Sequence, residues 1–338
     1  MWKRFLTYIK ETIQEEYKFI IFLILLYIIF QYPVNYYVIV GGGISNVNSR
    51  IKVDNSYSSK GSFNISYVTQ LEGTLLSYGL SYLIPSWERE SADNYKYDTN
   101  ESIKDIEFRS DLDLKVANST ATYWAYHLAN KKVNEDSSKL YVIAVFSPDK
   151  TSLKVQDQIL NVDGHAFDNV LEYRDYFQTK KDGDVVSIKI IRNNKEKIIS
   201  SKLYENDGRI LLGVGLQFLK TYQVTPEVKI QFKKSESGPS GGLITTLEIY
   251  NQLTKKDLTC GKKIAGTGTI EEDGSIGTIG GVEHKLLGAN HDKAAYFLVP
   301  SGQNYKDALK YKKSKKMKIK LIEVKNIEEA IKKLEDLE

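Results

Sequence analysis

"KKSESGPSGGLITTLEIYNQL", Lys233 to Leu253, places one hydroxyl, that of Ser240, between Pro239 and a glycine pair and then passes at once into an apolar pattern. Pro239 fixes φ before the turn, while Gly238, Gly241 and Gly242 let the backbone turn sharply and let another backbone come close. Leu243, Leu247, Tyr250 and Leu253 carry the apolar spacing of a helix, so the stretch predicts a helix with Ser240 near its N-terminus. N–H groups and the positive dipole end at such a terminus suit a developing oxyanion. A serine hydroxyl stays a poor nucleophile until a base takes its proton, and the rest of the chain must supply that base.

Histidine is the usual base, but His127, His165, His284 and His291 show no triad order with an acid and this serine. They are also too scattered for a compact metal motif, and no metal or other cofactor is expected. A lysine serves instead if burial lowers its pKa from about 10.4 to near 7, a bias of about 4–5 kcal/mol against the charged form. Lys285 opens an apolar helical turn directly after Gly280 and Gly281. The lysines of "KYKKSKKMKIK", residues 310–320, read instead as a solvated face. His284 is expected on a solvent-facing helix surface, and Cys260, in "KKDLTCGKK", in a turn between charges.

Three blocks, "SGPSGG", "TGTIEEDGSIGTIGGVEHKLLGA" and "YFLVP", follow one another in this order. Together they resemble the proteolytic domain of Lon-type serine proteases, peptidase family S16, over residues 205–338. The resemblance implies a ribosomal protein S5 domain 2-like fold and a Ser–Lys dyad, with Ser240 as nucleophile and Lys285 as general base. Thr267 matches the threonine that holds the lysine amine, and Gly238, Pro239 and Gly241 shape the nucleophile loop. The family often has an acidic residue at the position of Ser237 and alanine at that of Gly241. No glycine-rich loop ending in Gly-Lys-Ser/Thr occurs, so no ATP-powered module and no ATP requirement are expected.

From Lys139 onward the pattern changes to short strands. "LYVIAV" reads as a buried strand, "DQILNVDGHAF" as a strand with an Asp-Gly turn, "VLEYRDYF" as a helix and residues 184–203 as a hairpin turning near Asn193-Asn194. "LKVQDQILNVDGHAFDNVLEYRDYF", from Leu153 to Phe177, resembles a PDZ domain, here taken as 131–204. Such domains bind extended peptides at a sheet edge. The polar segment "NEDSSKL" ahead of Tyr141 reads as a loop without the glycine-rich carboxylate-binding pattern, and Gln156 stands where glycine is usual.

The run "FIIFLILLYIIF", Phe19 to Phe30, continues as "QYPVNYYVIV" to Val40. Residues 19–40 read as an uncleaved membrane anchor, since 22 helical residues span about 33 Å. Lys3, Arg4, Lys10 and Lys18 precede it, which favours a cytoplasmic N-terminus (1–18) and an extracellular catalytic part in a single-pass cell-membrane protein. Gly41, Gly42 and Gly43 read as turn and linker glycines. Residues 41–130 form an α+β segment contributing to the protease core or a linker, with a strand over 63–69 and a helix over 114–128.

The fold class expected is therefore α+β and multidomain: an N-terminal transmembrane helix, a PDZ-like domain and a Lon-type proteolytic domain. This order resembles the membrane-anchored PDZ-containing Lon-like peptidases of Gram-positive bacteria. It implies an ATP-independent serine endopeptidase that cleaves extended peptides, including signalling peptides, or exported and membrane proteins, with homo-oligomer formation also implied. The alternative reading is a catalytically inactive PDZ-bearing scaffold or a peptide receptor or chaperone. With 47 basic and 43 acidic side chains the net charge is only +4, which gives no field suited to nucleic acid.

Overall fold

The computed structural model describes residues 2–97, 101–233 and 238–337, with the side chains of residues 3–13 left aside. In chain order the elements are α1 (Trp2–Gln31), β1 (Pro33–Asn46), β2 (Ile51–Val53), β3 (Ser62–Thr74), α2 (Leu75–Leu80), β4 (Glu88–Ser91) and α3 (Ile103–Leu128). Then follow β5 (Lys132–Val145), β6 (Gln158–Val162), α4 (Val170–Gln178), β7 (Val185–Arg192), β8 (Lys195–Lys202), β9 (Tyr204–Asn206), β10 (Arg209–Leu211), β11 (Val214–Thr225) and β12 (Val228–Ile230). The chain closes with α5 (Gly242–Leu253), β13 (Lys263–Gly266), α6 (Val282–His291), β14 (Tyr296–Pro300), α7 (Gln303–Ser314), β15 (Lys320–Val324) and α8 (Ile327–Glu335). These form two compact units: the chain up to Gly41 with Val68–Tyr95, and Gly42–Tyr67 with the chain from Lys96 onward.

In the first unit, residues Tyr36–Ile39 of β1 pair antiparallel with Glu88–Ser91 of β4. Thr74 caps α2 by a reciprocal exchange with Ser77. The expected membrane anchor over 19–40 is not found: among the described residues no helix is long and apolar enough to cross a membrane. The physical reason is where α1 stops. It ends at Gln31, and Pro33 opens β1, so the apolar helical run is Phe19 to Phe30 alone. That run rises about 18 Å, against a hydrocarbon layer of about 30 Å, and Glu15, Glu16 and Lys18 lie directly before it. The side chains of Lys3, Arg4 and Lys10, on which the orientation rested, fall outside the described ones. The transmembrane helix, the single-pass topology and the extracellular placement built on them are corrected accordingly.

In the second unit one sheet runs in the order β15-β14-β13-β3-β1. β3, β13, β14 and β15 are mutually parallel neighbours, with Ile65 level with Gly266 and Gly266 level with Leu298. Alternation along these strands sends successive side chains to opposite faces. Phe63, Ile264 and Leu298 join a core with Ala121, Ala125 and Tyr126 of α3, Leu243 and Leu247 of α5 and Ile331 of α8. Ala265, Phe297 and Val299 face the other way and pack with Val282, Leu286 and Ala289 of α6 and Ala308 of α7. The sheet is thus sandwiched, with α5 on one face and α6 on the other. Parallel strands covered on both faces leave their carboxyl ends as the natural position for a site.

The second sheet of this unit is antiparallel, ordered β11-β5-β6-β7-β8, with its own core of Val142, Val162, Phe177, Ile188, Ile190 and Leu203. Asp163-Gly164 makes the expected turn, and Asn193 and Asn194 take φ of 52° and 58°, as a two-residue hairpin turn requires. "NEDSSKL" is not a loop. It is part of β5, because β11 pairs with β5 from Val214 to Thr225 and satisfies its backbone. Asp157, 1% exposed, is held by Arg192, whose Nε and Nη2 each donate to a carboxylate oxygen at 2.6 Å. Gln156, just before it, adopts a left-handed φ of 79°, which explains why glycine suits that position.

Candidate active site

Gly238 takes φ of 99°, a value that a side chain rarely adopts, and turns the chain into the single 3₁₀ turn Pro239–Gly241 that runs straight into α5. Ser240 sits in that turn and is half-buried. Two backbone bonds fasten the loop beyond the carboxyl end of β13: Gly268 N–H donates to Ser240 O at 2.8 Å, and Leu243 N–H donates to Gly268 O at 3.1 Å. A Cβ on Gly241 would lie 2.8 Å from Ile65 Cδ1, so alanine at this position needs Ile65 to shift. Ser237 lies outside the described residues.

Deeper in the chain α5 is anchored by polar groups that the sequence reading did not single out. Glu248 is 1% exposed, and burial pushes its carboxyl above the usual range. Asn48 Nδ2 and Gln252 Nε2 donate to Glu248 Oε1 at 3.1 and 2.6 Å. Gln252 also bonds the backbone of Ile51 and Val53 in β2. The helix behind the Ser240 loop is therefore pinned against the neighbouring strand rather than merely packed.

Lys285 enters from the opposite face, on the first turn of α6. It is 5% exposed, and its Nζ donates to Thr267 Oγ1 at 3.2 Å. Thr267 is fully buried and donates its own hydroxyl to Ser240 O at 3.3 Å. Ser240, Thr267 and Lys285 thus form one hydrogen-bonded chain just beyond β13. Among the described residues no carboxylate pairs with Lys285, and burial alone pushes its amine down to about 8. At pH 7 about one such amine in ten carries a free lone pair, against fewer than about one in a thousand for an ordinary lysine, and the share rises to about half at pH 8.

The seat of α6 explains two departures from expectation. A Cβ on Gly288 would lie 2.5 Å from the Gly42 carbonyl carbon, and one on Gly42 would lie 3.2 Å from His284 O and 2.1 Å from Tyr67 O. Gly42 is therefore a strand residue of β1 that admits a helix at backbone distance, and not a linker glycine. His284, whose backbone oxygen lies at that approach, is 6% exposed rather than solvent-facing. Cys260 is exposed in its turn, at φ of 48°.

A serine-bearing loop at a helix start, linked by hydrogen bonds to a desolvated lysine at the end of a parallel strand, is an arrangement suited to acyl transfer. Residues 230–335 match the Lon protease (S16) C-terminal proteolytic domain, and residues 128–203 match the PDZ domain. The chain carries a serine peptidase domain of the S16 class beside a PDZ domain. A Lon protease of Trichlorobacter lovleyi is 33% identical over 97 residues, which are 29% of this chain and 12% of that protein. The PDZ domains of SdrC-like proteins from Listeria monocytogenes and Listeria innocua are each 32% identical and cover 23% of this chain, with TM-scores of 0.22. The matches cover 85% and 92% of those two chains.

Proposed function

We propose that this chain is an endopeptidase working through a Ser240–Lys285 dyad on extended peptides or unstructured protein segments. The observation that carries the reading is Lys285 itself. It is a lysine amine 5% exposed, without a carboxylate partner among the described residues and linked through Thr267 to the nucleophile loop. A buried cation without a counter-ion destabilises a fold, so its retention favours a chemical role.

Neutral Lys285 takes the Ser240 proton as the oxygen attacks a peptide carbonyl, and N–H groups around Ser240 and Gly241 stabilise the oxyanion. The lysine then passes its proton to the leaving amine, and water, activated by the same base, releases the acyl group. Thr267 orients the amine throughout. Gly238 and Pro239 set the turn that presents the hydroxyl. The PDZ domain supports the choice of extended substrate, because an open sheet edge holds a peptide by its backbone.

The test is incubation of the full chain with a mixed set of unstructured peptides, read by mass spectrometry, beside Ser240→Ala and Lys285→Ala. Cleavage by the parent and a loss of at least about a thousandfold in both variants is expected. Peptides that bind the parent but stay intact would favour a receptor or scaffold instead.

A further inference from the structure

Ser66 lies on β3, is 1% exposed, and its Oγ meets no hydrogen-bond partner among the described residues. A buried hydroxyl left unpaired costs about 1–3 kcal/mol, so it calls for a partner. Its position follows from the sheet. Ile65 points to the α5 face, where it meets Gly241, so Ser66 points to the α6 face. Ile65 is level with Gly266 in the parallel ladder, which puts Ser66 next along the strand beside Thr267. On the other side β1 flanks it, since Gly42 abuts Tyr67 O, and the first turn of α6 closes over that point at His284. Ser66 is thus enclosed by the strand end that bears Thr267 and the helix turn that bears Lys285.

The proton balance shows what such a hydroxyl can do. A neutral amine has two N–H donors and one lone pair. One donor is used on Thr267 Oγ1, and the lone pair receives the Ser240 proton as the Ser240 O–C bond forms. The resulting ammonium has three N–H donors and, among the described residues, no carboxylate partner. Thr267 Oγ1 accepts one and the leaving nitrogen takes another as the peptide C–N bond breaks. The third has no acceptor in the dyad.

We propose that Ser66 is a positioning residue for the reaction, its Oγ accepting from Lys285 Nζ when the lysine carries the proton. This role rests on the dyad reading above and adds to it the group that stabilises the transient cation.

Rates of peptide cleavage by the full chain are measured across neutral to alkaline pH for the parent, Ser66→Ala, Ser66→Thr and Lys285→Ala, with thermal melting alongside. Activity requires neutral lysine, so the rate rises with pH through the pKa of the base. Removing a group that favours the charged form lowers that pKa. Ser66→Ala is expected to move the rising limb to lower pH by about 0.5–1 and to cut kcat about tenfold, while melting at or above the parent temperature. Ser66→Thr keeps the parental limb. If Ser66→Ala does not fold, Ser66→Cys, similar in shape but a weak acceptor, decides on the same readouts. A parental limb and kcat in the variant, with Lys285→Ala inactive, overturns the role of Ser66 alone. Activity surviving in Lys285→Ala overturns the dyad, and this role with it.

Discussion

Asp157 and Lys285 are buried to nearly the same degree, 1% and 5% exposed, yet the chain treats the two charges in opposite ways. In the antiparallel sheet Asp157 receives Arg192 through two bonds of 2.6 Å and the Lys154 N–H at 2.8 Å, so its charge is answered on every side. At the end of β13 Lys285 donates to a neutral threonine hydroxyl and meets nothing of opposite sign among the described residues. An answered charge stiffens a fold. An unanswered one is pushed toward neutrality, and that is the state in which a lysine can accept a proton.

The contrast is testable first through the partner that makes Asp157 harmless. Arg192→Ala strands a buried carboxylate and should cost about 3–5 kcal/mol in urea unfolding. A loss below about 1 kcal/mol would break the comparison from that side.

The opposite sign is expected at Lys285. The unfolded lysine holds its proton up to about pH 10.4, whereas the folded one releases it near 8. Between those values the unfolded chain binds more protons, so stability rises with pH, and the full penalty of about 3 kcal/mol is present below pH 8. Lys285→Met should therefore stabilise by about 3 kcal/mol near pH 7 and by almost nothing above about pH 10.5. Unfolding midpoints of parent and variant at the two pH values decide it, and a gain independent of pH would show packing rather than charge.

A smaller effect sharpens the contrast between strain and function. Gln156 is held at φ of 79° beside Asp157, and its Nε2 bond to Asp105 is long, at 3.4 Å. Gln156→Gly should gain up to about 1 kcal/mol in thermal or urea unfolding, with peptide cleavage unchanged.

What could be read along the chain was what local chemistry encodes. Glycine and proline around Ser240 announce a turn into a helix wherever the rest of the chain goes, and Lys285 stands out because a glycine pair precedes an apolar turn. The PDZ-like hairpin and its Asn193-Asn194 turn are legible for the same reason. The apolar run at Phe19 reads too far because composition does not mark where a helix gives way to a strand, and Pro33 opens β1 just past the end of α1. "NEDSSKL" reads as a loop because its strand character comes from pairing with β11, more than seventy residues away. Gly42 looked like a linker because glycine signals a turn and a close approach with the same letter. Ser66 had no local signal at all, since its isolation depends on the register of β3 against β13 and on the seat of α6.

That seat also fixes a reach. A lysine side chain has a set length, so the height of its helix above the sheet decides whether the amine arrives relaxed or fully stretched. With hydrogen atoms alone at Gly42 and Gly288, α6 rides as low as two backbones permit, which shortens the span the lysine stem must cover. The shorter that span, the more of the lysine's own torsional freedom is left for carrying a proton from one group to the next, without asking the helix to move.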